Sequence, residues 1–177
     1  MKLLRTSDDR FENLPDYPFK PNYVEIEGVR IHYVDEGAKN AEPVLLMHGE
    51  PTWAYLYRKM IPIIVGAGYR AVAPDLVGFG RSDKPAEMDD HTYRKHIDWM
   101  RALVKSIDLQ NITLFCQDWG ALIGLRLAVD DEITDRFSRI VLSNGGLPVS
   151  KVMKNVEAFM RWREFSRTTP NIEVGRL

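Results

Sequence analysis

Asn111-Ile112-Thr113-Leu114-Phe115-Cys116-Gln117-Asp118-Trp119-Gly120-Ala121-Leu122-Ile123-Gly124 is the stretch on which the fold turns. Residues 111–115 are a short apolar and β-branched run, as in a buried strand. Residues 119–129 are apolar nearly all round, as in a helix enclosed by other structure. Little chain separates the two, so Cys116, Gln117 and Asp118 must form a tight turn. Gly120, Ala121 and Gly124 are small, which lets such a helix lie close to its sheet. An aspartate therefore stands at the junction of a buried strand and a buried helix.

Working outward, the same alternation recurs. Residues 43–47 form a continuous apolar run, the pattern of a strand covered on both faces of a mostly parallel sheet. Residues 55–65 predict a helix, with Pro62 an awkward member, and Gly66-Ala67-Gly68 ends it. Residues 69–73 predict the next strand. A Gly- and Pro-rich loop runs from 74 to 85. Tyr93, Ile97, Met100, Val104 and Ile107 recur at helical spacing, so residues 91–107 predict an amphipathic helix. Residues 139–143 predict a further strand. Upstream, residues 23–27 and 29–34 alternate around Gly28 and predict a hairpin. Strands alternating with helices predict an α/β fold, with a mostly parallel sheet and helices on both faces. Residues 1–22 are expected to form an irregular arm and residues 23–147 the core. Residues 148–177 turn basic and aromatic with no preceding strand, as at the beginning of a helical cap.

Composition narrows the function. The chain has 177 residues, 45% hydrophobic, and a formal net charge of −1. That balance argues against a nucleic-acid partner, which needs a basic excess. Cys116 is the only cysteine, so no intrachain disulfide can form. The first ten residues become charged at once, unlike a secretion signal, and no apolar run reaches the roughly 18 residues of a membrane span. A cytoplasmic protein is expected, with no membrane partner, no metal and no cofactor.

An isolated aspartate at a strand-to-helix junction most often caps the helix. Two other segments change that expectation for Asp118. His48-Gly49-Glu50-Pro51-Thr52-Trp53 follows one predicted strand, and Asp75-Leu76-Val77-Gly78-Phe79-Gly80-Arg81-Ser82-Asp83 follows the next. In α/β-hydrolases the nucleophile sits on a strand–turn–helix elbow, usually Gly-x-Ser-x-Gly, and an oxyanion loop follows an earlier strand. Here Asp118 takes the serine position, Gly120 the second glycine, and Cys116 replaces the first. With these pieces in this order, from about Tyr23 onward, the sequence resembles the haloalkane dehalogenases. Epoxide hydrolases, which also place Trp after an Asp nucleophile, are the runner-up. A non-catalytic fragment of the same fold that depends on a partner chain is the other alternative.

The resemblance implies a chemistry. Asp118 would displace halide from an sp³ carbon and form an alkyl ester, which water then hydrolyses to an alcohol. Trp119 is the implied first halide donor. Glu50 occupies the position where some members carry a donor Asn, so the resemblance assigns the second donor to the cap, at Trp162. Phe159 and Leu122 are the implied pocket walls. Backbone N–H groups of Glu50 and Trp119 would form the oxyanion hole, and His48 would stabilise its loop. The implied partners are a small apolar halogenated alkane, halide and water, in a detoxifying role. The family's His base and its orienting acid are expected beyond Leu177, so the chain reads as C-terminally truncated. His32, His48, His91 and His96 do not match the base position.

Overall fold

In the computed structural model the structure describes residues 1–146, 157–169 and 172. The contacts divide the chain into two compact units, Met1–Gly146 and Leu147–Leu177.

The first unit is built on a six-stranded sheet. Its strands are β2 (Asn22–Ile26), β3 (Val29–Glu36), β4 (Pro43–Met47), β5 (Arg70–Pro74), β7 (Ile112–Gln117) and β8 (Phe137–Ser143), in the order β2-β3-β5-β4-β7-β8. The three pairings from β5 to β8 are parallel, and the two that join β2 and β3 to the sheet are antiparallel. The hairpin turns at Glu27 and Gly28, both with positive φ, which is what a tight two-residue connection between right-twisted strands requires. The remaining strands, β1 (Leu3–Leu4) and β6 (Lys84–Pro85), pair with each other. The arm is therefore pinned rather than loose, and a bidentate ion pair from Arg5 to Asp83 holds it there.

Helices cover both faces. α2 (Tyr93–Ser106) and α3 (Asp118–Ala128) lie on one side and α1 (Met60–Gly66) on the other. β4 shows the cause. Leu45 and Met47 enter the core under α2 and α3, whereas Leu46 enters the core with Tyr57 and Ile61. A strand whose successive side chains point to opposite faces must be apolar throughout to fill both layers. At the edge, β8 leaves Ile140, Val141 and Leu142 close to half exposed.

The helix expected over 55–65 is in two pieces, a 3₁₀ turn at Ala54–Tyr57 and then α1. Pro62 falls in the first turn of α1, where its missing N–H would have no partner anyway, so it starts a helix instead of breaking one. α2 begins two residues later than expected, because the Thr92 side chain accepts from the Lys95 N–H and caps it.

In the second unit the described helix is α4 (Glu157–Thr168), with the Trp162 and Phe165 rings 5.7 Å apart along it. The start of the expected cap, residues 148–156, lies outside the described residues. Among the described residues no helix is long and apolar enough to cross a membrane.

Candidate active site

Asp118 sits where β7 becomes α3. Gln117 is extended, Asp118 has φ +50°, and the helix starts at once. Only a sharp reversal lets a strand feed a helix with no linker, and the left-handed conformation supplies it. For a non-glycine residue this costs on the order of 1 kcal/mol, with Asp among the side chains that tolerate it. The turn is wedged in place by missing side chains. A Cβ at Gly120 would overlap the backbone carbonyls of Met47 and His48, and one at Gly49 would overlap the Asp118 carboxylate. The end of β4 and the start of α3 thus lie in direct backbone contact.

The carboxylate does not cap its helix. The residue before α3 is Gln117, with no side-chain cap, and Asp118 Oδ1 instead accepts the Glu50 N–H at 2.8 Å across the sheet end. The Asp118 N–H donates to the Asn144 carbonyl at 3.4 Å. Trp119 is the second residue of α3, so its N–H has no partner within the helix. The helix N-terminus also favours negative charge at this point. One backbone donor, at Glu50, thus engages the carboxylate, and a second without a helical partner, at Trp119, follows it directly in sequence.

The Gly49–Ala54 turn is held from below by buried groups. His48 Nδ1 lies 2.8 Å from the Gly49 carbonyl, and its Nε2 accepts the Leu76 N–H at 2.9 Å. Nε2 must then be bare and Nδ1 must carry the hydrogen, so His48 is neutral. Burial pushes its imidazole below the usual histidine value, outweighing the Asp75 charge. Asp75 Oδ1 accepts the Ala54 N–H, while Oδ2 accepts from Arg81 N and lies 2.8 Å from His32 Nδ1. His48 thus holds its loop together, as expected, and both of its nitrogens are occupied.

A cavity of about 270 Å³ opens beside these groups, lined by Glu50, Leu76, Phe79, His91, Tyr93, His96, Trp119 and Ile123. Sequence reasoning placed His91 and His96 only on a flanking helix. The Asp75–Asp83 loop and the first turns of α2 converge here and bring both imidazoles to the cavity wall. No periodicity signals this: His91 precedes α2, and His96, sharing a face with Tyr93 and Met100, reads only as part of the buried side of the helix. Leu122 does not line the cavity. Ile123 takes that part, while the Leu122 carbonyl accepts the Tyr93 hydroxyl at 2.8 Å. Burial brings His96 down to about 4, and a positive charge on the neighbouring His91 would lower it further. Burial, with Asp118 adding to it, raises the Glu50 carboxyl. Trp162 and Phe159 lie on α4 in the second unit, both exposed within the described residues.

Known proteins share this fold. The alpha/beta hydrolase fold family model matches residues 42–170. A haloalkane dehalogenase of Psychrobacter cryohalolentis is 53% identical over 99% of this chain, and one of Mycolicibacterium paratuberculosis is 47% identical over all of it. The chain spans 58% and 60% of the lengths of these two relatives. The solved haloalkane dehalogenase DpaA of Paraglaciecola agarilytica, described as tetrameric, superposes with a TM-score of 0.84 at 42% identity, over 97% of this chain and 58% of that one. An epoxide hydrolase of Vigna radiata is more distant, with a TM-score of 0.70 at 28% identity over 83% of this chain and 47% of that one. The chain belongs to the alpha/beta hydrolase fold family, and the haloalkane dehalogenases named above are 42–53% identical to it.

Proposed function

We propose that this chain carries the nucleophilic half of a haloalkane dehalogenase, acting on small apolar halogenated alkanes. The observation that carries the proposal is Asp118 itself: a carboxylate at φ +50° on an elbow, oriented by the N–H of Glu50, which with Trp119 lines a largely apolar cavity. With Oδ1 engaged, Oδ2 is the free nucleophile. It attacks the halogen-bearing carbon, the carbon–halogen bond breaks, and halide leaves with the bonding pair while an alkyl ester forms on Asp118. The indole N–H of Trp119 receives the halide, with Trp162 as the second donor and Phe159 as an apolar wall. Residues 23–147 then serve as the core and residues 148–177 as the beginning of a cap.

Return to free enzyme requires water to attack the ester carbonyl, giving the alcohol and a proton for a base. The backbone donors at Glu50 and Trp119 would stabilise the oxyanion of that step. Among the described residues no histidine hydrogen-bonds Asp118. The base is therefore assigned to protein outside these residues, and the alkylation step to this chain. A cytoplasmic site of action belongs to the same proposal and rests on the single, free and buried Cys116.

Incubation with a brominated alkane tests the proposal through bromide measurement. A stoichiometric burst of bromide is expected, with no consumption of an epoxide under the same conditions. Epoxide consumption without bromide release would move the assignment to the epoxide hydrolases.

A further inference from the structure

The Gly49–Glu50 peptide is engaged at both ends. Its N–H, from Glu50, points to Asp118 Oδ1 at 2.8 Å. Its carbonyl, from Gly49, meets three donors: His48 Nδ1 at 2.8 Å, Thr52 Oγ1 at 2.9 Å and the Thr52 N–H at 3.1 Å. The bond is trans, so its C=O and N–H lie in one plane and point in opposite directions. Fixing the oxygen on one side aims the hydrogen on the other. A carbonyl that accepts strongly also makes the N–H of the same peptide a better donor, because linked hydrogen bonds polarise one another. His48 is itself immobilised, with Nε2 on the Leu76 N–H and the Phe79 ring set edge-on at 5.5 Å.

We propose that His48 and Thr52 are positioning residues for the reaction at Asp118, acting through the Gly49–Glu50 peptide plane. They touch neither substrate nor nucleophile. They set the direction and donor strength of the Glu50 N–H, and so decide which carboxylate oxygen of Asp118 is held and which is left to attack. The inference rests on the alkylation reaction proposed above, but one of its readouts does not.

The test uses H48N, H48Q, T52V and T52S in the full chain. Asparagine can place an amide N–H where Nδ1 sits and keep the Gly49 contact. Glutamine reaches the Nε2 position and keeps the Leu76 contact instead. The first readout is the Glu50 amide proton shift, downfield when bonded to a carboxylate and moving upfield in D118N. The second is the rate of ester formation on Asp118 at saturating bromoalkane. H48Q and T52V are expected to move the Glu50 resonance upfield and to slow alkylation by roughly tenfold or more, since small misplacements of reacting groups carry costs up to about a hundredfold. The half-saturating concentration should change little. H48N and T52S should recover much of both signals. A purely structural link between the two loops predicts the reverse order for the histidine pair, because glutamine preserves that link. Equal losses in H48N and H48Q, or a wild-type Glu50 shift and rate in folded H48Q, would overturn the proposal. If H48Q does not fold, the T52V and T52S pair decides it on the same two readouts. If the unaltered chain forms no ester, the proposed reaction fails, and the Glu50 shift series still decides the peptide clamp.

Discussion

Asp118 joins a strained backbone to an oriented carboxylate, and its neighbours make both useful. The positive φ lifts the side chain off the end of β7, and the Glu50 N–H fixes one oxygen. D118N keeps the size but not the charge, and should slow bromide release by at least ~10³-fold, the scale of nucleophile loss in other hydrolases. W119F keeps the ring and deletes the indole N–H. A lost donor at a developing anion costs on the order of 10²-fold or more, so W119F should slow bromide release on that scale without unfolding the chain. Both are read by bromide release under single-turnover conditions. The elbow that carries Asp118 and Trp119 and the turn that carries Glu50 were legible as fold elements, because each lies directly after a strand. The cavity walls at Phe79, His91 and His96 were not, since residues far apart in sequence meet there only once the loop after β5 folds against α2. Leu122 shows the same limit, because a one-residue step around a buried helix exchanged it for Ile123.

Two glycines separate close packing from open space at the level of elements. A side chain at Gly120 would meet the backbone of β4 and of the turn after it, and backbone cannot swing aside as a side chain can. G120A should therefore destabilise by about 3 kcal/mol or more, the upper range for overpacking. Gly66, the last residue of α1, has nothing near its missing Cβ and no positive φ. G66A should be neutral or stabilise by about 0.4–1 kcal/mol through the unfolded chain. Denaturant midpoints of the two variants check the contrast. Strand and helix existence was legible from periodicity, and β4 matched its apolar run end to end. Element ends were set by other forces. Thr92 capped α2 later than the apolar pattern suggested, and Pro62 initiated a helix where the pattern treated it as an interruption.

For the whole molecule, the buried titratable groups set a pH window. His48 and His96 are held below the unfolded histidine value of 6.5, His96 at about 4. The unfolded chain then binds more protons than the folded one as pH falls below about 6.5, so stability declines toward pH 4. Burial works against ionisation of Asp35 and Asp83, but hydrogen bonds from Arg70 and Lys39, and from Arg5 and Arg30, outweigh it and lower both carboxyls. Their contribution is present above the unfolded value of 3.8 and is lost below it, as each folded carboxyl protonates. Thermal midpoints should therefore fall in two stages on acidification, one from pH 6.5 to 4 and a second below, with H96Q flattening the first. A midpoint constant from pH 7 to 4.5 would contradict the assignment of neutral buried histidines. The fold class was legible at this scale because the order hairpin, strand, helix, strand admits few sheets. The division at Gly146 appears in sequence only as a change of composition.

The central claim is that Asp118 is the nucleophile toward carbon bearing a halogen. Peptide mass spectrometry after incubation with a brominated alkane tests it most directly. The account predicts an added alkyl group on the peptide containing Asp118, on that carboxylate, and none in D118N. Alkylation at another residue with Asp118 unmodified, or an equal adduct in D118N, would contradict it.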